Sequence, residues 1–366
     1  MKIIQLITRH PSFPGGINQY SLILAEQLWN RHNIFTHFLG YSDLENPKIE
    51  SHEVTVNGFP STNLFYKEST DILEVFSSLL TEGVEAIIFH YIPKASWLLK
   101  CLHFLKKKYR FQLVVMFHDG IYVPRGIKKN ISYEIRQFLR KDNSPNSSAR
   151  ELTKIADTIL TTTYRYQMII SKWVKYPVIC IPIYSTIGEP QSTPPLVKRS
   201  RRMIVFGKPY LRKRVYEKAI NQLVESCYKL EIKEINDIGP LRDSACEVIL
   251  PKLSGIDVVE IGEESSVKIS QIMLTSLAGF IDYDPSYLSK SSVLAAYCAH
   301  GLIPLCSRYT ESASDGLELN QNYLCCHKFD KLDCSQLQYI ADSATAWYRN
   351  HDIKTTTDIF ASILIK

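Results

Sequence analysis

The sequence lacks the short motifs that identify several common enzyme classes. It has no GxSxG nucleophile elbow, no HExxH metal-binding pair and no Walker phosphate loop. It also lacks a full dinucleotide-binding fingerprint, because the segment PGGINQY at 14–20 has no third glycine at the GxGxxG spacing. Serine hydrolases, zinc peptidases and P-loop nucleotidases of those types are therefore excluded, and a nicotinamide-dependent dehydrogenase is disfavoured.

Long apolar runs and paired cysteine spacings are absent as well. The first strand pattern is soon followed by Pro11, which leaves no apolar segment long enough for a signal peptide or a membrane span. The nine cysteines include no CxxC metal pair, and only Cys325 and Cys326 are neighbours. The odd cysteine count is typical of a reducing compartment, so we expect a cytoplasmic protein without a disulfide framework.

The composition is that of a folded, moderately basic protein. Hydrophobic residues make up 45% and charged residues 22% of the 366 residues, which is typical of a globular chain long enough for two domains. The net charge is +6, and basic residues cluster at 105–110, 125–130 and 197–202. Solvated surface charge and contact with an anionic membrane surface are both open explanations. No nucleic-acid motif accompanies the clusters, so we expect no nucleic-acid partner.

The order of predicted elements indicates the fold class. Short β-branched or aromatic runs alternate with helical patterns along the whole chain, as in parallel βαβ units. The segment 188–202 is proline-rich, polar and then basic, which is the composition of an exposed connector. We predict an α/β fold of two Rossmann-like domains facing a cleft, at 1–195 and 196–345. Residues 346–366 are expected to form a C-terminal helix, with packing back on the first domain left open.

The segment MIVFGKPYLRK contains the most informative loop. An apolar strand runs into Gly207, and Lys208 and Lys213 place ammonium groups on the loop and on the following helix. Glycine lets the backbone approach a ligand closely, and a helix start with basic residues suits a diphosphate. An ordinary βα turn with solvated lysines is the alternative. A second glycine-rich loop, in which Gly15 and Gly16 precede the helical pattern SLILAEQL, favours the phosphate interpretation.

Residues directly after strands are the other candidates, because ligands of open parallel sheets bind beyond the carboxyl ends of the strands. His118 and Asp119 follow the strand QLVVMF, where a histidine either hydrogen-bonds a ligand or packs under a loop. Lys290, Ser291 and Ser292 are predicted to open a helix, where they suit an anion or a sugar. An N-cap serine beside an exposed lysine is the plainer explanation.

Four segments resemble the GT-B fold glycosyltransferases, in particular the retaining family 4 type, over nearly the entire chain. They are PGGINQYSLILAEQL, FHD at 117–119, ELTKIADTILTTTYRY and FGKPYLRK. The resemblance implies catalytic roles for Lys208 and Lys213, which would hold the donor diphosphate, and for His118, which would contact the donor sugar. It implies substrate contacts at the other candidates: Gly16, Gly207, Lys290, Ser291 and Ser292.

The resemblance also implies a reaction. A sugar would pass from a nucleoside diphosphate sugar to an acceptor hydroxyl, with retention at the anomeric carbon. The donor is a substrate, so no cofactor and no bound metal are expected. A saccharide or a lipid-linked acceptor is expected, in the synthesis of a cell-surface polysaccharide or glycan. Peripheral association with the inner face of the membrane is left open.

One departure from the family pattern concerns two glutamates separated by seven residues. In the segment YLSKSSVLAAYCAHG, the first position falls at Tyr287 or Leu288 and the second at Ala295 or Ala296. Neither position is acidic. Lys290 and Ser291, in the same segment, are candidates for the donor contacts that the glutamates would make. The departure leaves two alternatives open: a catalytically inactive GT-B-like binding or scaffold subunit, and a sugar-nucleotide epimerase.

Overall fold

The structure, a computed structural model, describes residues 1–7, 16–41, 52–53, 61–66, 69–90, 96–123, 145–243 and 246–365. The candidate Gly15 and the basic cluster at 125–130 lie outside these residues. None of the helices in the described ranges combines the length and the apolar character needed to cross a bilayer. The chain divides into two compact units, the first formed by Met1–Ile181 with Thr356–Lys366 and the second by Pro182–Thr355.

The described part of the first unit contains a sheet of eight strands: β1 (Lys2–Ile7), β2 (Phe35–Tyr41), β3 (His52–Glu53), β4 (Ser61–Tyr66), β5 (Val84–His90), β6 (Gln112–Phe117), β7 (Thr158–Thr161) and β8 (Val178–Cys180). Their order across the sheet is β3-β4-β2-β1-β5-β6-β7-β8. All neighbours are parallel except the short β3, which pairs antiparallel with β4. The strands β1, β5 and β6 are almost entirely buried, as expected for central strands that read as continuous apolar runs.

The second unit contains a five-stranded sheet: β9 (Ser200–Phe206), β10 (Glu234–Ile238), β11 (Asp257–Gly262), β12 (Ser276–Ile281) and β13 (Ile303–Cys306). The order is β11-β10-β9-β12-β13, and every pair is parallel. Two parallel sheets in two units confirm the predicted α/β class. The carboxyl ends of β9 and β12 are therefore neighbours, which matters for the site below.

The helices connect the strands in the predicted alternation. They are α1 (Gly16–His32), α2 (Ser69–Thr81), α3 (Ser96–Lys108), α4 (Pro145–Ile155), α5 (Tyr164–Ile170), α6 (Pro209–Lys218), α7 (Ile220–Lys229), α8 (Ser266–Thr275), α9 (Ser292–Ala299), α10 (Cys334–Arg349) and α11 (Ile353–Leu364). Short 3-10 helices occupy Leu196–Lys198, Pro285–Lys290 and Cys326–Lys328.

The C-terminal residues belong to both units. The stretch 346–366, expected to form a C-terminal helix, contains the end of α10 at Arg349 and the separate helix α11 from Ile353. From Thr356 onward the chain belongs to the first unit. There Arg31 pairs with Asp358 at 3.0 Å, and the side-chain amide of Gln112 donates to the carbonyl oxygen of Ile363 at 2.8 Å.

Two local expectations need correction. Lys290 does not open a helix, because it is the last residue of the 3-10 helix Pro285–Lys290, and α9 begins two residues later. The basic cluster at 197–202 is not simply a solvated surface, since the guanidinium of Arg199 is buried and donates to the carbonyl oxygens of Pro194, Ser276 and His300.

Candidate functional site

The glycine loop of the second unit lies against the start of helix α9. Gly207 follows β9 with a φ of 123°, a conformation that favours glycine. Its N–H donates to the carbonyl oxygen of Ile238 at 3.1 Å. A Cβ atom at Gly207 would lie 3.2 Å from Cγ2 of Val293, the second residue of α9. The structure therefore brings Gly207 next to the predicted helix start at Ser291 and Ser292.

A buried ion pair between Arg212 and Asp237 is hydrogen-bonded to this loop. Arg212 on α6 and Asp237 on β10 are both 0% exposed and form a salt bridge. The Nε atom of Arg212 donates to the carbonyl oxygen of Gly207 at 2.9 Å, and a second guanidinium nitrogen donates to that of Pro240. The hydroxyl of Tyr216 donates to the other oxygen of Asp237 at 2.7 Å. Because the charged groups of Arg212 and Asp237 all have partners, this hydrogen-bond network fixes the conformation of the Gly207 loop.

The two predicted lysines have different surroundings. Lys208 is exposed at the N-cap of α6, directly after Gly207, and has no ion pair within the described residues. Lys213 lies on α6 with a side chain that is 37% exposed, and its ammonium is 3.6 Å from the carboxylate of Glu217. Lys208 thus lies at the loop itself, whereas Lys213 already has an anionic neighbour. Their proposed contacts with a diphosphate stay predictions.

Two arginines that the sequence reasoning missed, Arg214 on α6 and Arg308 shortly after β13, face a carboxylate at the end of β12. The buried carboxylate of Asp282, directly after β12, is 2.8 Å from Nη2 of Arg214 and 3.2 Å from Nε of Arg308. It also accepts a hydrogen bond from the hydroxyl of Ser307. One carboxylate thus faces two guanidinium groups, so the group carries a net positive charge. The position of Asp282 and Arg308 just after strands was the available signal.

The start of α9 is capped by its own side chain. The Oγ atom of Ser291 accepts from the N–H of Leu294 at 3.2 Å, which is the N-cap role weighed above as the plainer explanation. Ser292 is the first residue of the helix, and the ammonium of Lys290 lies 5.6 Å from the ring centre of Tyr287. The free backbone N–H groups of a helix start favour an anion, whatever the role of the serine.

Neither of the positions that correspond to the family's two glutamates carries a carboxylate in this chain. Leu288, Ala295 and Ala296 are buried and apolar, whereas Tyr287, the other candidate for the first position, is half-buried beside the ammonium of Lys290. A carboxylate nevertheless lies close by, because Asp315 accepts a hydrogen bond from the hydroxyl of Ser289 at 2.5 Å. Since Asp315 is 26 residues away in sequence, no local pattern pointed to it.

His118 belongs to a buried polar chain in the first unit. It follows β6, and its Nε2 lies 2.9 Å from Nδ1 of His90, the last residue of β5. The Nε2 atom of His90 lies 2.9 Å from Oε1 of Gln5 on β1. The ring of Tyr20 packs edge-on against His118, with the ring centres 4.9 Å apart. Because Tyr20 is one turn beyond Gly16 on α1, the structure brings the predicted glycine helix start and His118 together.

The hydrogen bonds among Gln5, His90 and His118 indicate which ring nitrogens carry hydrogen. Burial lowers the pKa of His90 to about 3, so its ring is neutral near pH 7. With Oε1 of Gln5 as acceptor, His90 carries its hydrogen on Nε2 and accepts at Nδ1. His118 then donates from Nε2 to Nδ1 of His90. His90 therefore orients His118, a role that the sequence did not reveal.

Comparison with solved structures identifies the fold. The chain is similar to an α,α-trehalose-phosphate synthase (UDP-forming) from Burkholderia vietnamiensis, with 11% identity, a TM-score of 0.62, and coverage of 100% of this chain and 97% of that one. It is also similar to the lipopolysaccharide outer core galactosyltransferase WaaB in its apo form, with 12% identity, a TM-score of 0.53 and 99% coverage of both chains.

A third solved structure supports the same conclusion. It is the pneumococcal O-GlcNAc transferase GtfA in complex with UDP and GlcNAc, with 9% identity, a TM-score of 0.58, and coverage of 100% and 98%. These likenesses show the GT-B fold over the full chain length. No protein-family profile matches the chain. A search of curated proteins by sequence also finds no match.

Proposed function

We propose that this protein is a glycosyltransferase that moves a sugar from a nucleoside diphosphate sugar to an acceptor hydroxyl. The observation that carries the proposal is the Gly207–Lys208 loop packed against the N-terminus of α9 in a GT-B fold. A lysine directly after the loop glycine and the N-terminus of a helix lie on these two neighbouring elements, and both groups suit a diphosphate. The named structural neighbours include a UDP-forming synthase and a transferase bound to UDP.

The charges of the second unit fit the chemistry of such a transfer. When the bond between the sugar and the diphosphate breaks, negative charge builds up on the leaving diphosphate. We propose that Lys208 and the start of α9 stabilise that charge, with Lys213 as a second cation. Arg214 and Arg308 both contact Asp282, so this group adds net positive charge at the carboxyl end of β12. Cations fixed before the reaction need no reorganisation during it, which makes them effective.

The first unit supplies the remaining proposed contacts. His118 is proposed to hydrogen-bond the donor sugar, in the orientation that His90 imposes. Gly16 at the start of α1 is proposed to shape the acceptor side. In the second unit, Lys290, Ser291 and Ser292 are proposed to contact the donor, and Asp315 is our candidate for the carboxylate that the family places elsewhere.

The finer points of the proposal rest on the family resemblance. They are retention of anomeric configuration, a hexosyl donor, a saccharide or lipid-linked acceptor, and a role in making a cell-surface polysaccharide or glycan. We propose no cofactor, no nucleic-acid partner and a cytoplasmic location. Peripheral membrane binding has less support than the charge clusters suggested, because Lys106 pairs with Asp157 at 2.5 Å and Arg202 with Glu234 at 2.6 Å.

A nucleotide panel tests the proposal. Melting curves recorded with UDP, GDP, CDP and their sugar derivatives should show a rise in melting temperature for one base, since a ligand that binds only the folded state stabilises it. The sugar nucleotide with the largest rise is then incubated with saccharide acceptors, and release of the nucleoside diphosphate is measured. Binding without release for every acceptor would favour the inactive binding subunit. No rise with any nucleotide would contradict the proposal, and the same nucleosides without phosphate serve as controls.

A further inference from the structure

A second cluster of chemically active side chains lies in the second unit, where helix α7 meets the 3-10 helix Cys326–Lys328. Glu225, Cys326 and His327 offer a carboxylate oxygen, a thiol sulfur and an imidazole nitrogen. These three atoms lie within 4.8 Å of one another. None of the three residues belongs to the candidate site described above. The geometry points to a binding site for one zinc ion.

The separation of the histidine nitrogen and the carboxylate oxygen is close to that of two zinc ligands. The Nδ1 atom of His327 lies 3.2 Å from Oε2 of Glu225. In a tetrahedral site with bonds of about 2.0 to 2.3 Å, ligand atoms are about 3.3 to 3.8 Å apart. The side chains of His327 and Glu225 are 53% and 36% exposed, so both can adjust and admit an ion from solvent. Cys326 is buried and provides the fixed ligand.

Lys229 positions the three ligands. Its ammonium donates to the carbonyl oxygens of Cys326 and Phe329 at 2.6 and 2.7 Å, which ties the 3-10 helix to α7. It also lies 3.0 Å from Oε1 of Glu225, whereas His327 faces Oε2. The carboxylate can therefore keep the lysine on one oxygen and bind an ion with the other. A thiolate and a carboxylate balance the two charges of the ion, so the lysine is tolerated.

The ligand types select the metal. Sulfur and imidazole nitrogen favour zinc, whereas magnesium and calcium require sets of oxygen ligands. Three protein ligands leave a fourth position for water. An ion bound here links α7 to a segment about a hundred residues further along the chain, so it stabilises the folded second unit. Cys325 takes no part, because its thiol donates to the carbonyl oxygen of Ser307 at 3.7 Å.

Zinc titration of the full chain tests the site. The protein is stripped with a chelator and titrated with Zn²⁺ in competition with a chromophoric zinc indicator. We expect one equivalent to bind and the melting temperature to rise. His327→Ala and Glu225→Gln should each weaken binding at least tenfold, because each removes one of three ligands. His103→Ala, which removes another exposed histidine, should bind zinc as tightly as the wild type.

Cobalt substitution tests the thiolate. A Co²⁺–thiolate absorption band in the near ultraviolet should appear in the wild type and in Cys325→Ser, which replaces the neighbouring buried cysteine. Cys326→Ser should lose the band. If Cys326→Ser fails to fold, the exposed His327→Ala variant decides. Failure to bind one equivalent, or binding of undiminished affinity in His327→Ala, would overturn the proposal. Neither result depends on whether the protein transfers sugars.

Discussion

Replacing Asp237 with alanine is expected to lower the free energy of unfolding by about 3 to 5 kcal/mol, because it leaves the guanidinium of Arg212 buried without a counter-charge. Both side chains are fully buried, so the guanidinium is not in contact with bulk water. The hydroxyl of Tyr216 loses its acceptor in the same variant. Urea unfolding followed by circular dichroism measures the change, with the denaturant slope checked for two-state behaviour.

A surface ion pair provides the matched control for that variant. Arg242 and Glu247 lie 2.6 Å apart, but their side chains are 75% and 57% exposed. Glu247→Ala should therefore change the unfolding free energy by less than about 1 kcal/mol. If Asp237→Ala is no more destabilising than Glu247→Ala, the ion pair does not support the loop in the way that we infer.

Loss of Lys208 or of Lys213 should affect turnover more than stability. Lys208→Ala and Lys213→Ala are each expected to lower the turnover of the sugar nucleotide at least tenfold, with the fold intact. We expect the larger loss for Lys208, because it follows Gly207 directly, whereas Lys213 shares its charge with Glu217. Release of the nucleoside diphosphate measures turnover, and the melting temperature without ligand reports on the fold.

Two further variants separate a contact with the diphosphate from a general effect of charge. Lys198→Ala removes an exposed lysine from the 3-10 helix before β9 and should retain wild-type turnover. Glu217→Ala breaks the helix ion pair but keeps Lys213, so it should also retain turnover. Wild-type turnover in Lys208→Ala and in Lys213→Ala would remove the phosphate role of both lysines.

The parts of the site that follow a strand directly could be predicted from sequence. Gly207 and Lys208 come after an apolar run, and His118 ends another, so the rule for parallel sheets places them at ligand-binding edges. The same rule would have found Asp282 and Arg308, because β12 and β13 pair with Ile281 opposite Cys306. The polar segment before α9 was harder to interpret, since serine is common both at N-caps and at anion sites.

The residues that support the site could not be found in this way. Arg212 meets Asp237 only because β10 lies beside β9 in one particular register, with Asp237 opposite Val205. His90 and His118 are 28 residues apart and meet because β5 and β6 are neighbours. Periodicity predicts that a strand exists, but it does not specify which strands pair or in what register.

The central claim is that the Gly207–Lys208 loop and the start of α9 hold a diphosphate. A crystal structure with the sugar nucleotide selected by the melting panel tests it most directly. We predict diphosphate oxygens within about 3 Å of the ammonium of Lys208 and of the backbone N–H groups at the start of α9. A sugar nucleotide bound elsewhere, with the ammonium of Lys208 in bulk solvent, would contradict the account.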